Sequence, residues 1–349
     1  MSHCWRFALT DEIFTLPKPD DFHVHLRQGL PLQLYARRQA ACFGRALVMP
    51  NTLPPVADAS SLEQYREEIL GSTRGSGLLP LMAFKLLPGM GRDAVTACVE
   101  AGAVAGKYYP AGATTNAADG PSCPEAVADA LDAMEEADIV LSIHGEAPEA
   151  PSLEREGAFL GTVEKILGRW PRLRIVLEHL STKDAVDFVR AGPERLGATI
   201  TAHHLLFTLD DMLGSGLNPH LFCKPILKSA SDRAALREAV FSAKQGSTQS
   251  RFFFGSDSAP HERAAKERTS APGGVYSAPT AIPALVGLFE SEGALVALEP
   301  FVASNGARFY RMAPPSGTLR LRREAWSVPE TIDGVVPMCA GTVLSWRLA

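Results

Sequence analysis

The chain has 349 residues, of which 46% are hydrophobic and 21% are charged, as in an ordinary soluble globular protein. Its 34 basic and 39 acidic residues give a net charge of −5, which argues against a general nucleic-acid binder. No apolar run approaches the roughly 18 residues of a membrane span, and the N-terminus lacks the apolar segment of a secretory signal. The six cysteines form no Cys-x-x-Cys pair, so we expect reduced thiols in a cytoplasmic protein.

Eight short runs suited to β-strands recur along the chain, with helical patterns between them. The predicted strands are 20–25, 45–49, 79–84, 103–107, 139–143, 174–178, 198–202 and 251–255. The clearest predicted helices begin at Asp58, Ser122, Ser181 and Ser231 and end near Gly71, Ala137, Gly192 and Gly246. Eight alternations of strand and helix favour a (β/α)8 barrel. A doubly wound open sheet is the alternative, although no Gly-x-Gly-x-x-Gly follows the first strand.

The sequence shows no internal repeat and no change of composition that would mark a linker. The most turn-rich stretch, 268–279, has the character of a loop inside a domain. We therefore predict one barrel domain over residues 1–349, with a C-terminal extension after the last strand and helix.

Residues that can bind a metal lie at the ends of five predicted strands. They are His23, His25, Lys107, His144, His179 and Asp257. The first two histidines alternate within one strand, so their side chains point to the same side. Active sites of such barrels lie at the carboxyl ends of the strands, so all six side chains should converge on one rim. Any one of them alone is more simply a hydrogen-bonded core residue, a helix cap or half of an ion pair.

Four imidazoles and one carboxylate suit zinc or a similar divalent ion. These five ligands are too many for one tetrahedral site and too few for two sites unless an anion bridges the metals. The amine of Lys107 can react with carbon dioxide to form a carbamate, and burial favours the neutral amine that this needs. We therefore predict two divalent ions, with zinc preferred, bridged by carboxylated Lys107. His203 and His204, after the seventh strand, are expected to have supporting or structural roles.

The segment 21–27, with sequence DFHVHLR, resembles the D-x-H-x-H-x-R signature of the amidohydrolase superfamily and, within it, of the dihydroorotase family. Further segments resemble that family in the same order, at 48–52, 106–110, 113–116, 144–146, 178–179, 225–228 and 255–261. Only 22 residues precede His23, too few for the N-terminal β-sandwich of hydantoinases and of the other dihydroorotase class. The resemblance is therefore to the compact class II bacterial type, without such a domain.

The resemblance implies the reversible hydrolysis of dihydroorotate to N-carbamoyl-L-aspartate in pyrimidine biosynthesis. It places one metal between His23, His25, carboxylated Lys107 and Asp257, and the second between Lys107, His144 and His179. A hydroxide between the metals would attack the ring amide. Asp257 would take its proton as general base and pass it to the leaving nitrogen as general acid.

The resemblance also implies a set of substrate contacts. They are His25, Arg27, Asn51, Thr114, Thr115, His144, Lys224, His261 and Gly273. The Arg27 guanidinium is suited to the substrate carboxylate, and the two threonines would lie on a loop that closes over the substrate. Lys224 departs from the family pattern, which often has an apolar residue there.

Two other readings remain open from the sequence. The same chemistry could act on another cyclic amide, as in a hydantoinase, although Arg27, Asn51 and His261 favour an acidic substrate. A non-catalytic barrel that serves as an assembly partner usually lacks metal ligands, and all six are present here. The expected partner is therefore the small-molecule substrate, with no nucleic acid or membrane, and the resemblance implies a homodimer.

Overall fold

A computed structural model of the protein describes residues 13–242 and 251–349. Eleven strands are described: β1 (Ile13–Pro17), β2 (Asp20–Val24), β3 (Arg45–Val48), β4 (Leu79–Lys85), β5 (Ala103–Tyr108), β6 (Val140–Ile143), β7 (Ile175–Leu177), β8 (Leu196–Ile200), β9 (Phe252–Phe254), β10 (Thr318–Ser327) and β11 (Val343–Leu348). Strands β2 to β9 form one parallel sheet in chain order. Each predicted strand coincides with one of these eight, with ends that differ by one or two residues.

Helices cover the outside of the sheet and follow the strands in sequence. They are α1 (Leu30–Cys42), α2 (Ala59–Ser72), α3 (Arg92–Glu100), α4 (Ala128–Glu136), α5 (Arg155–Arg169), α6 (Lys183–Ala191), α7 (Ala202–Leu206), α8 (Leu209–Leu213), α9 (Ala230–Phe241), α10 (Arg263–Lys266), α11 (Ala281–Ser291), α12 (Leu295–Glu299) and α13 (Asn305–Phe309). A π-helical turn, Pro300–Ser304, joins the last two. None of the helices in the described part of the chain is long and apolar enough to cross a membrane.

The sheet closes on itself where the end of β9 meets β2. The amide of Asp257 donates to the His23 carbonyl at 2.8 Å, and the amide of His25 donates to the Ser258 carbonyl at 3.0 Å. A parallel bridge also joins Val24 to Ser258. The predicted (β/α)8 barrel is therefore confirmed, and the open sheet is wrong.

Two apolar layers hold the barrel together. Inside it, side chains that point inward from successive strands form a compact cluster: Phe22, Leu47, Met49, Leu81, Ala83, Ala105, Val140, Val176 and Phe253. Outside it, the opposite faces of the strands pack against the helices in a larger apolar layer. Alternation along each strand thus leaves only the strand ends free to carry polar groups toward the rim.

Where a side chain caps the helix, the observed first residue lies within a few residues of the predicted one. Asp58 caps α2 by accepting from the Ser61 amide at 2.8 Å, as predicted, although α2 continues one residue past Gly71. The cap of α6 is Thr182 rather than Ser181, since the Thr182 hydroxyl accepts from the Ala185 amide at 3.2 Å. Helix α6 ends at Gly192 as predicted.

Two other helix predictions need correction. Helix α9 is capped by Ser229, not Ser231, because Ser229 forms the reciprocal pair with Asp232. The described part of α9 ends at Phe241, and its predicted end at Gly246 lies outside the described residues. The predicted capping box at Ser122 is wrong, because a 3-10 turn over Pro124–Val127 precedes α4 and has no side-chain cap.

Sequence analysis missed a small antiparallel sheet of order β1-β10-β11. In it Phe14 pairs with Leu321, and the Phe14 ring lies 6.0 Å from that of buried Trp346. The Trp346 indole donates to Glu290 of α11 at 3.0 Å, which joins this sheet to the outer helices. In β10 only Leu319 and Leu321 are buried, and charged residues lie next to them in the sequence. The apolar pattern of this strand is therefore short.

Gly306 is a close-packing point between α13 and the first barrel strand, where a Cβ atom would overlap the Phe22 ring. That ring stacks on Tyr310 with centroids 4.8 Å apart, so it has little room to move. We expect Gly306→Ala to destabilise the protein by about 1–3 kcal/mol, as overpacked cores do. Gly287→Ala in α11, where a Cβ meets nothing within 4 Å, is the matched control. The urea unfolding midpoints of the two variants measure this difference in stability. Equal midpoints would contradict the close packing of Gly306 against Phe22.

Candidate metal centre and substrate pocket

The six predicted ligand positions all lie on the carboxyl rim of the barrel. His23 is in β2, Lys107 is in β5, and the other four follow β2, β6, β7 and β9 directly or within a few residues. Five of the six residues are buried, and the His25 side chain is 11% exposed. The sequence prediction that these side chains converge is thus matched by their placement.

His23, His25 and Asp257 form a tight group whose ligand atoms lie within 4.8 Å of one another. The Asp257 Oδ1 atom lies 3.2 Å from Nε2 of His25 and 3.5 Å from Nε2 of His23. Burial would raise the pKa of Asp257, but the His25 hydrogen bond and the nearby imidazoles hold it below its usual range. Burial lowers the pKa of His25 to about 4, so a neutral imidazole faces an ionised carboxylate. Such a set suits a divalent cation.

Glu178 orients His23, a role that sequence analysis did not assign. Its Oε2 atom accepts from Nδ1 of His23 at 2.9 Å and from the Thr199 hydroxyl at 2.6 Å. Its Oε1 atom accepts from the Ser142 hydroxyl at 2.5 Å. The proton on Nδ1 leaves the lone pair of Nε2 directed toward Asp257, as in carboxylate–histidine–metal arrangements. The only signal in the sequence was the position of Glu178 at the end of a predicted strand.

His144 and His179 face each other across the rim, with 3.2 Å between Nδ1 of His144 and Nε2 of His179. Nε2 of His144 bonds Glu146 Oε2 at 2.8 Å, which places its proton there and leaves Nδ1 bare. Burial lowers the pKa of both imidazoles, and neighbouring histidines lower that of His179 further. Two neutral imidazole nitrogens this close together, on two buried rings, are suited to binding one cation between them.

Lys107 is fully buried, and its Nζ atom has no hydrogen-bond partner within the described ranges. Burial lowers the pKa of this amine to about 8. The amine lies 5.1 Å from the centre of the Tyr109 ring. A buried amine without a partner is costly as an ammonium, so its surroundings favour the neutral form that carbamate formation requires.

Asp21, the first residue of the signature, has a structural role at the barrel seam. Its carboxylate accepts from the amides of His23 at 3.0 Å and Ser256 at 2.7 Å, and from the Gln39 amide group at 2.6 Å. It therefore joins the strand that carries His23 to the segment that carries Asp257. These side-chain bonds add to the backbone bonds that already join the two segments.

Three site residues have left-handed backbone conformations that non-glycine residues rarely adopt. The φ angles are 62° at Arg27, 44° at His179 and 41° at Asp257. Each lies just after a barrel strand, where the chain must turn to direct a side chain over the rim. Strained backbone of this kind concentrates at functional sites.

A pocket opens above these groups. Its lining includes eight of the nine predicted substrate contacts: His25, Arg27, Asn51, Thr114, Thr115, His144, Lys224 and Gly273. Tyr109, Ala259 and Gly274 also line it and were not predicted. The ninth predicted contact, His261, lies behind Arg27 and bonds it.

Arg27 is held in place by its own contacts. Its Nε donates to the Pro260 carbonyl at 3.0 Å, and its Nη2 lies 2.8 Å from Nε2 of His261. The same nitrogen lies 3.1 Å from the Gly273 carbonyl oxygen, so the imidazole sits between the guanidinium and the backbone of the pocket wall. Burial and the Arg27 charge lower the pKa of His261 to about 3, so the ring is neutral. His261 thus supports the arginine that faces the pocket.

Asn51 joins the second barrel strand to the loop of the two threonines. Its amide group donates to the Thr115 carbonyl at 3.3 Å, and the Asn116 amide group donates back to the Asn51 carbonyl at 2.9 Å. On the far side of the pocket, Nζ of Lys224 donates to the Ala113 carbonyl of the same loop at 3.3 Å. The unusual lysine therefore contacts the loop with its side chain.

His203 and His204 lie beside the pocket and do not line it. His204 is satisfied by the Thr201 hydroxyl at 2.9 Å and the Pro225 carbonyl at 3.2 Å, as suits a structural histidine. Both nitrogens of buried His203 lack a partner within the described residues. The His203 and His204 rings lie 4.7 Å apart, near the thiol of Cys223.

Comparisons with known proteins agree with this arrangement. The dihydroorotase of Marinobacter nauticus is 42% identical over 343 residues, which cover 96% of this chain and 98% of that protein. The crystal structure of Campylobacter jejuni dihydroorotase has a TM-score of 0.88 at 35% identity and covers 98% of this chain and 99% of that one. The Saccharomyces cerevisiae dihydroorotase, solved with 5-fluoroorotic acid, has a TM-score of 0.89 at 32% identity, with 97% and 98% covered.

No family model matches the chain. An L-hydantoinase from Arthrobacter aurescens has a TM-score of 0.82 but only 16% identity, over 96% of this chain and 83% of that one, so it shares the fold alone.

An eight-stranded parallel barrel with histidines, a lysine and an aspartate on its carboxyl rim defines a barrel of the amidohydrolase type. Identity above 40% over nearly the whole length of a curated relative then narrows this class to one family. The chain belongs to the dihydroorotase family.

Glu178→Gln removes the negative charge that orients His23 while keeping the size of the side chain. We expect divalent-metal affinity to fall about tenfold to a hundredfold, as when other partners of ligating histidines are lost. Competition against a chromogenic chelator measures it, with exposed Glu136→Gln as the matched control. Equal affinity in the wild type and Glu178→Gln would mean that Glu178 does not support a ligand.

Proposed function

We propose that the protein catalyses the reversible hydrolysis of dihydroorotate to N-carbamoyl-L-aspartate, a reaction whose reverse closes the ring in pyrimidine biosynthesis. As a member of the dihydroorotase family, it is a hydrolase of cyclic amide bonds. The observation that carries the proposal for this substrate is the single pocket lined both by the four rim histidines with Asp257 and by the Arg27 guanidinium. Hydrolytic chemistry and a fixed carboxylate receptor thus face the same space.

The proposed ligand set divides into two metal positions that share one residue. His23, His25 and Asp257 would hold one ion, His144 and His179 would hold the other, and carboxylated Lys107 would bridge them. The neutral amine of Lys107 would add to carbon dioxide and release one proton, which gives a carbamate at the end of the side chain. Bound divalent ions, with zinc preferred, would supply Lewis-acid chemistry that activates water and polarises the amide carbonyl.

Asp257 is the proposed proton carrier. Its ionised carboxylate would accept a proton from the attacking water, and the resulting acid would return that proton to the ring nitrogen as the C–N bond breaks. The low pKa of Asp257 favours the first half of this cycle, since the group is ionised and ready to accept at neutral pH.

The substrate would be held by fixed donors around the pocket. Arg27 would bind the ring carboxylate through its planar fork, with His261 and Asn51 completing the receptor. The backbone near Lys224 and Gly273, with the rings of His25 and His144, would contact the pyrimidine ring. Thr114 and Thr115 would close over it from their loop, which excludes water from the reacting bond.

We further propose one barrel domain with a C-terminal extension, formed by β10 and β11 with their connecting turns. The protein would act in the cytoplasm as a homodimer, with its small-molecule substrate as its partner. These points rest on resemblance to the family.

The same pocket argues against the hydantoinase reading and the non-catalytic reading. An uncharged hydantoin would leave the half-buried Arg27 guanidinium without a counter-charge, which costs binding energy. A non-catalytic barrel would have no need for a complete set of six converging ligand groups.

The direct test is turnover by zinc-loaded protein with dihydroorotate and with hydantoin, measured as loss of ring absorbance. We expect turnover of dihydroorotate and little or none of hydantoin. Preferred turnover of hydantoin would overturn the proposed substrate, and turnover of neither would overturn the proposed reaction.

Asp257→Asn keeps the size of the side chain but cannot accept the proton. We expect turnover to fall by at least about 10²-fold, the usual lower value of a general acid–base contribution, while most of the metal remains bound. Elemental analysis of the same preparation separates loss of the proton carrier from loss of metal. A variant with both metals and near-normal turnover would make His261 or His203 the next candidate.

A further inference from the structure

The loop that carries Thr114 and Thr115 is braced by its own backbone. The Gly112 amide donates to the Ala117 carbonyl at 2.9 Å, the Ala113 amide to the Pro110 carbonyl at 3.0 Å, and the Ala111 amide to the Pro121 carbonyl at 3.2 Å. A loop bonded in this way moves as one body. A contact that holds any part of it therefore also positions the two threonines.

Lys85 is such a contact, and it lies beneath the loop. It is the last residue of β4, on the same face as Leu81 and Ala83 of the inner apolar cluster. Its side chain is only 1% exposed, yet its Nζ donates to the Asn116 carbonyl at 2.7 Å and pairs with the Asp119 carboxylate.

The other half of the pair belongs to the loop and faces solvent, since the Asp119 side chain is 50% exposed. A buried ammonium that loses its counter-charge is strongly destabilised. If the loop moves away from the barrel, Lys85 loses the Asp119 carboxylate and the Asn116 carbonyl together, and its buried ammonium has no partner. The cost of that state favours the seated position of the loop.

The seated position is the one that brings the threonines to the pocket. Asn116 donates to the Asn51 carbonyl at 2.9 Å, and Asn51 donates to the Thr115 carbonyl at 3.3 Å. The contacts of Lys85 therefore fix the stretch of loop that is bonded to a pocket residue. Lys85 itself does not line the pocket and acts only through the loop.

We propose that Lys85 and Asp119 form an electrostatic latch that seats the substrate loop, with Lys85 as a positioning residue of the active site. This inference rests on the proposed function only in assigning a substrate to the loop. The contacts of the latch are independent of that assignment.

The test is a double-mutant cycle with Lys85→Met, Asp119→Asn and both together, in zinc-loaded protein. Each single variant should lower kcat/KM for dihydroorotate about threefold to thirtyfold, in the range of directly coupled pairs, with metal content unchanged. The double variant should be no worse than the poorer single one, because the latch is already broken. Since Asp119 is half-exposed, Asp119→Asn should fold even if Lys85→Met does not.

A matched control removes an exposed ion pair of the same charges, Arg92 with Glu136 on the outer helices. Arg92→Met and Glu136→Gln should leave kcat/KM unchanged. Added salt should raise KM in the wild type through screening of the half-exposed pair and should have less effect in the double variant.

Hydrogen exchange of the 110–120 amides separates failure of the latch from failure of the proposed function, since it needs no substrate. Exchange should be faster in each latch variant than in the wild type, and unchanged in the controls. Three results would each overturn the latch. The first is a loss of kcat/KM in the double variant equal to the product of the two single losses. The others are an unchanged kcat/KM in the single variants and amide exchange in the single variants as slow as in the wild type. Absence of turnover in the wild type would overturn the function and leave exchange to decide on the latch.

Discussion

The constraint on which this site depends is the burial of the Lys107 amine without a hydrogen-bond partner. No acceptor within the described residues bonds its Nζ atom, and the Glu178 and Asp257 carboxylates act on it only through space. Burial lowers its pKa to about 8, so the neutral amine is accessible near neutral pH. Carboxylation would convert this amine into the bridging anion that four histidines and an aspartate lack.

The groups around Lys107 are oriented by partners one layer away. Glu178 and Glu146 each fix the proton of a histidine, so that a bare nitrogen faces the rim. Asp21 joins the first strand to the segment after the last, which brings Asp257 beside His23 and His25. The orientation of these candidate ligands is therefore set by hydrogen bonds within the barrel itself.

Much of this was predictable because it follows from periodicity and from strand ends. Eight alternations predicted the barrel, and the carboxyl ends of its strands predicted that six distant residues would meet. The orienting residues were not predictable in the same way, because the partners of Glu178 come from three different strands and depend on side-chain rotamers. Strands β1, β10 and β11 were missed because their pairing is long-range and only two of the ten residues of β10 are buried. The Lys85–Asp119 contact likewise joins a strand to a loop that has no pattern of its own.

The most direct test of the central claim is ¹³C NMR of protein loaded with zinc in ¹³C-bicarbonate. We expect one carbamate carbon signal in the wild type, its loss in Lys107→Met, and its retention in Lys85→Met, which removes another buried rim lysine. Fully zinc-loaded, active wild-type protein with no carbamate signal would contradict the account, since the two metal positions would then have to form without a bridging lysine.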